Sequence, residues 1–490
     1  MNPLWTLLPP LAVIPCILFF GEKRRNLREA SIIVAGLWLL CLNNGLYHEV
    51  LRGGQAVSGE LPMLAGFSLK LSAEPIGVLF ALLASFLWVV TTVYSIGYMR
   101  GHDEKHQTRF YLCFAIALGS VMAAAYADNL LTLFVAYEVL SLSTYPLVTH
   151  AGSDKARRAG RVYLGLLMGA SIGLFLPAVI WVATVSGTLD FRAGGILADA
   201  GLSGGALAAM LALFVFGIGK AAVMPLHRWL PAAMVAPTPV SALLHAVAVV
   251  KTGVFSLLKI VTYTFGIDTV FASGAAQWLL PFAAFTIVVA SVVAFTKDNL
   301  KARLAYSTIG QLSYIVLAAL LATSMSVSGG ALHIVMHAFG KITLFFCAGA
   351  IMVALHKTEI SDLDGIGRQM PITMGAFFVG ALCIIGLPPT GGAWSKLLIA
   401  GGSLETEQLI WVGVLMLSTL LNICYLLPIP LRAFLRPPPA SASSGAVDRW
   451  GLREAPMPSL WAIVLTATAT VLLFLFPGPL MALLGQIVWR

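Results

Sequence analysis

Residues 331–346, ALHIVMHAFGKITLFF, hold two imidazoles and an ammonium inside an otherwise apolar run. His333, His337 and Lys341 stand four residues apart, so on a helix they form one titratable ridge. The run that contains them, near 330–355, is long enough for the roughly 20 helical residues that cross a bilayer. Helix packing needs no charge there, and each charge near a bilayer centre costs about 2.5–3.5 kcal/mol on insertion scales. A lone histidine on an apolar helix is usually a satisfied core group. Two in register with a lysine point instead to proton handling. The same spacing suits zinc, but no acidic residue lies nearby in that span. The expectation is a proton relay, with no metal and no cofactor.

The rest of the chain has the same character. Of its 490 residues, 59% are hydrophobic and 10% charged, against about 45–50% and about 25% in soluble domains. Such a chain cannot cover a water-facing surface, and the bilayer is its main solvent. Apolar runs place spans near 4–20, 30–49, 76–99, 110–126, 129–148, 160–187 and 204–226. Further spans lie near 238–264, 276–296, 304–324, 330–355, 371–401, 408–435 and 457–487. The predicted fold is an all-α polytopic membrane protein with about fourteen transmembrane helices. Lys23, Arg24, Arg25 and Arg28 follow the first run, the reverse of a cleaved signal peptide, so that run reads as a retained span.

The net charge of +9 does not signify nucleic acid, because Lys and Arg cluster in alternate short connectors. One set (21–29, 100–109, 151–161, 226–239, 297–303, 356–370 and 431–455) holds 21 of them. The opposite set holds 4: Arg52, Lys70, Arg192 and Arg490. By the positive-inside rule the first set is cytoplasmic, and both termini lie on the outer, periplasmic side of the cell's inner membrane. The longest cytoplasmic connector, 436–456, is rich in Pro, Ser and Ala and reads as a flexible loop. Cys16, Cys41, Cys113, Cys347, Cys383 and Cys424 all fall in apolar runs without a Cys-x-x-Cys. They are expected to pack between helices rather than form disulfides or bind metal.

Five lysines remain inside spans: Lys220, Lys251, Lys259, Lys341 and Lys396. Glu138 joins them, with Ser141 and Tyr145 on the same helical face. In FGIGKAAVMPLHRWLPAAMVAPTP (216–239), Lys220 sits between glycines and Pro225, where a helix is expected to break. Broken helices at membrane depth line cavities or are buried in protein. His227 shares a face with Lys220 only if the helix continues. Lys251 lies mid-span, whereas Lys259 is nearer the outer end and is expected to snorkel to the interface. His245, six residues before Lys251, points to another face and is a possible accessory group. In IIGLPPTGGAWSKLLIAGG, Pro388 and Pro389 interrupt the span before Lys396. Two Gly/Pro-interrupted spans in separate halves suggest related repeats.

The segments FVAYEVLSLSTYPL, GKAAVMPLHRWLPAAMVAPTPVSALLHAVAVVKTGVF, AYSTIGQLSYIVLA, LHIVMHAFGKITLF and GLPPTGGAWSK resemble the antiporter-like subunit family over roughly residues 75–435. That family includes large subunits of Mrp-type cation/proton antiporters, proton-pumping subunits of respiratory complex I, and relatives in membrane-bound hydrogenases. The resemblance implies N-terminal helices 1–3 over 1–109 and two inverted five-helix bundles with broken helices, over 110–265 and 276–435. Residues 436–490 supply a loop and the last helix. It also implies that Glu138 pairs with Lys220, that Lys251 is the central relay residue, and that His333, His337 and Lys341 relay the second bundle to Lys396. Lys396 stands where one complex I subunit carries glutamate, and no extension forms the long lateral helix of another. Both features favour the Mrp-type branch, and within it the large D-like component. Gly340 replaces an aromatic and is expected to loosen the packing beside Lys341.

Three classes follow: a monovalent cation (Na⁺)/proton antiporter subunit, a proton-pumping module of a redox complex, or a structural partner in an uptake complex. In each, the partners are other membrane subunits, with protons, and in the first also sodium, as cargo.

Overall fold

Side-chain caps mark where several of the spans begin. Asn129, Ser153, Ser203, Asn299 and Thr323 each accept a backbone N–H from the first turn that follows, which satisfies donors a helix cannot satisfy itself. The computed structural model describes residues 1–54, 56–64, 66–437 and 451–487. The side chain of His245 and most of the 436–456 connector lie outside the described residues.

The helices in chain order are α1 Pro3–Phe20, α2 Arg25–Leu51, α3 Pro75–Gly101, α4 Gln107–Ala125, α5 Leu130–Val148 and α6 Asp154–Ser186. They continue with α7 Gly204–Gly217, α8 Val249–Phe265, α9 Leu280–Thr296, α10 Leu300–Leu321, α11 Ser324–Leu355, α12 Pro371–Ile385, α13 Leu409–Leu435 and α14 Met457–Leu475. Ten of these are long and apolar enough to cross a membrane, α8 makes an eleventh with the helix bent away after it, and α7, α9 and α12 are shorter. Each range read from the sequence overlaps one of them. The β-structure described is two small antiparallel pairs in the connector between α2 and α3.

α11 is the organising element. It packs on α8, α10, α14 and both limbs of the interrupted α12. α10 buries 94% of its most apolar stretch, whereas α1, α2, α13 and α14 bury 33% each. The inner helices are thus enclosed by protein and the outer ones present apolar faces to lipid, as a bilayer solvent requires. Cys113, Cys347 and Cys383 are buried as expected, but Cys41 and Cys424 are exposed on outer helices. In lipid an apolar thiol loses nothing by facing outward.

Both expected interruptions are present. α7 stops at Gly217, before Pro225, and Lys220 itself lies in the short 3₁₀ turn Gly219–Ala221. The freed backbone groups find partners: Lys220 N–H donates to the Tyr137 hydroxyl at 3.0 Å, and the Trp229 indole donates to the Gly219 carbonyl at 3.0 Å. α12 ends at Ile385 and resumes as Gly392–Glu405. Gly386 turns the chain at φ +88°, and a Cβ there would lie 2.5 Å from the Lys396 Cδ. Only glycine suits that position.

Gly340 works opposite to expectation. A Cβ on it would come within 2.9 Å of Ile384 and 3.2 Å of Cys383, both on α12. The missing side chain lets α11 and α12 approach closely, the usual role of small residues between membrane helices.

Candidate functional site

The first group of buried charges forms where α5 meets the break after α7. Lys220 is fully buried. Its ammonium donates to the Tyr137 carbonyl at 2.7 Å and to the Ser141 hydroxyl at 2.6 Å, and lies 3.0 Å from the centre of the Tyr137 ring. Glu138 follows Tyr137 on α5, with both carboxylate oxygens buried and without a hydrogen-bond partner. The pairing expected between Glu138 and Lys220 is therefore not a direct contact here. Lys220 is instead held by the residues either side of the glutamate along α5. Ser141 serves the polar stripe as expected, while Tyr145 lies against Gly160.

The second group is a row of neighbouring side chains. Lys251 on α8 is hydrogen-bonded to His337 Nδ1 on α11. The His337 and His333 rings follow one turn apart, with centroids separated by 5.8 Å. His333 Nδ1 meets the Ser395 hydroxyl at 2.8 Å and its Nε2 meets Gln311 Oε1 at 3.2 Å. Its ring also stacks on Tyr314, centroids 5.7 Å apart. Tyr314 then faces Lys396, whose ammonium is 4.7 Å from the ring centre. Lys396 reaches back to the Ile385 carbonyl at 2.9 Å, so a cation caps the C-terminal, electronegative end of α12. Gln311, Tyr314 and Ser395 lie within the quoted motifs but carry no role in the sequence reading; a polar side chain at helical spacing inside an apolar run is the signal that points to them.

Lys341 leaves the ridge. It is buried, and its ammonium donates to the Leu304 carbonyl on α10 at 3.3 Å rather than joining the histidines. His227 lies beyond the break, with its ring 6.3 Å from Tyr306. His245 falls in the π-helical stretch Leu243–Val247 that leads into α8. Lys259 departs furthest from expectation. It is 1% exposed and ion-paired with Glu74, because a carboxylate at the start of α3 meets it before it can reach the interface.

The imidazole and amine groups of this row can each accept and donate a proton, with water bridging the ring contacts between them. Among the described residues, no cluster of His, Cys, Asp and Glu is placed to hold a metal.

Taken together, these features define a polytopic membrane subunit with ionisable groups aligned through its interior between two interrupted helices. The family described as NADH:quinone oxidoreductase/Mrp antiporter, TM matches residues 127–422, and the chain belongs to it. The chain is 31% identical over 487 residues to NADH-quinone oxidoreductase subunit N of Desulforudis audaxviator, covering 95% of each. It is also 31% identical to NAD(P)H-quinone oxidoreductase chain 5 of Synechocystis sp., over 78% of this chain and 56% of that one. It thus spans a little over half of that second relative. Among solved structures, the Mrp complex from Dietzia sp. contains a chain of the same fold, with a TM-score of 0.86 at 20% identity over 99% of this chain and 96% of that one.

Proposed function

We propose that this chain is the proton-translocating subunit of a multi-subunit monovalent cation (Na⁺)/proton antiporter. The observation that supports the reading is the row Lys251–His337–His333–Tyr314–Lys396, hydrogen-bonded from Lys251 to His337 and in ring contact beyond, where water carries the proton between neighbours. Glu138 and Lys220 form its input. A carboxylate near a buried amine favours the charged amine, and withdrawing the carboxylate favours release of the proton. Because Glu138 has no hydrogen-bond partner, a small movement or a neighbouring subunit can change its influence on Lys220. Water in the polar axis carries the proton from Lys220 to Lys251, where no direct hydrogen bond joins them among the described residues. Lys341 is a side branch toward α10.

On this reading the chain lies in the plasma membrane with both termini outside, among other membrane subunits, and performs no redox chemistry itself. A second reading shares the relay but couples it to a redox complex of the complex I or membrane-bound hydrogenase type. The near full-length likeness to an NADH-quinone oxidoreductase subunit favours it.

The discriminating experiment is purification with the native partners, followed by sodium-dependent and proton-dependent flux in liposomes. Glu138→Ala and Lys220→Ala abolish transport in complexes that still assemble. Normal flux in a well-expressed Lys220→Ala complex would sink the relay. Copurified cluster-binding subunits would transfer it to the redox reading.

A further inference from the structure

α8 continues past Lys251 to Lys259, with Phe255 midway between them on the same face. Lys259 pairs with Glu74, the residue that precedes α3. A buried ion pair is a weak brace, because desolvation offsets much of its attraction and packed apolar side chains serve as well. Its surroundings suggest another use.

Asp128, in the turn between α4 and α5, feels Lys259, Glu74, Lys70 and Asp190, and burial pushes its carboxyl up to about 6. Lys70 in turn bridges Asp190 and Glu60 at 2.8 Å each, and both carboxylates are at least half exposed. Between the buried pair and this wet cluster stands Phe191. Its ring centre is 4.9 Å from the Lys259 ammonium. The same residue lines a cavity of about 440 Å³ together with Ser186, Thr188, Asp190, Arg192 and Asp199. Lys259 does not line that cavity, and Phe191 is the residue that touches both. Phe191 N–H donates to the Asp128 carbonyl at 2.9 Å, and Arg192 N–H donates to the Tyr263 carbonyl at 3.2 Å. The backbone under the ring is thereby fixed to the α4–α5 turn and to the end of α8, leaving the side chain as the movable part.

We propose that Lys259, Glu74 and Phe191 form a second proton-handling site, a gated portal between the inner axis and the face that carries the 52–74 and 187–203 connectors. The Lys259 ammonium passes a proton to the Glu74 carboxylate, leaving a neutral amine and a carboxylic acid. When Phe191 swings aside, the acid releases the proton to water in the cavity. The amine takes its next proton through water from the Lys251 side, restoring the pair. The proposal rests on the relay reading above.

The test uses the assembled complex in liposomes, with Lys220→Ala as reference. Phe191→Ala raises passive proton leak several-fold in the absence of a driving gradient of the coupled ion. Phe191→Leu, which keeps an apolar side chain and serves if the smaller variant does not assemble, shows a lesser rise. The double variant Glu74→Gln/Lys259→Met removes both charges together. It lowers coupled flux several-fold and, combined with Phe191→Ala, suppresses the leak. Tight Phe191 variants with wild-type flux in the double variant would overturn the portal. With Lys220→Ala inactive, that result removes the portal alone; an active Lys220→Ala removes the relay beneath it.

Discussion

At the scale of the residue, the account depends on what each buried amine touches. Tyr314 links His333 to Lys396 through its ring, while its hydroxyl donates elsewhere, to the Leu415 carbonyl at 3.2 Å. Tyr314→Phe therefore keeps most transport, whereas Tyr314→Leu loses a cation–π contact of roughly 0.5–2 kcal/mol and lowers flux clearly. Flux assays on both variants check this; equal flux in the two would remove Tyr314 from the row. Asp128 allows a prediction in pH. Its folded-state pKa, about 6, lies above the ordinary value of 3.8 because burial disfavours the anion. Well below the ordinary value of 3.8, at about pH 3 or lower, the acid is neutral folded or unfolded and has no net effect. As pH rises from there to 6 the unfolded chain ionises more readily, and stability falls to a plateau above about 6. Asp128→Asn removes that penalty. Its thermal midpoint relative to wild type should be unchanged at about pH 3 and raised at about pH 7. A gain of equal size at both pH values would contradict the assignment.

At the scale of the element, the two interruptions do different work. After α7 the lysine sits in the break and reaches out to α5. After α12 the lysine lies beyond the break and reaches back to the helix end it caps. Gly386 makes the second geometry available. Gly386→Ala forces a left-handed conformation worth roughly 1–2 kcal/mol and drives a methyl into Lys396. Lower thermal stability together with lost flux is expected, and a neutral result would deny the turn its role. Gly340→Leu should separate α11 from α12 and reduce assembly, measurable as yield of intact complex.

The existence and order of the helices were legible because length and hydropathy report directly on bilayer crossing, and the adjacency of His333 and His337 was legible from their spacing. The precise break at Lys220 was not, since proline chemistry pointed to Pro225 while the tertiary partners Tyr137 and Trp229 decided where the backbone groups were satisfied. Nor was the burial of Lys259, because its partner Glu74 is remote in sequence. Lys341 stands on the expected helix, but its long side chain follows a carbonyl on α10 rather than the register of its own helix.

At the scale of the whole molecule, an interior enclosed by α8, α10 and α11 holds charge that lipid would reject, and outer helices present apolar faces to the bilayer. That division is what permits a file of titratable groups to persist at membrane depth. On the proposed reading, partner subunits determine which ion gradient or reaction drives it, while the path itself lies in this chain. The measurement closest to the central claim is proton flux through the complex carrying Lys251→Met, purified with its native partners and reconstituted beside wild type at matched assembly. In the proposed relay Lys251 passes the proton from α8 to His337 on α11, so flux falls to the level of empty liposomes. Wild-type flux through a fully assembled Lys251→Met complex would mean that protons travel by another route.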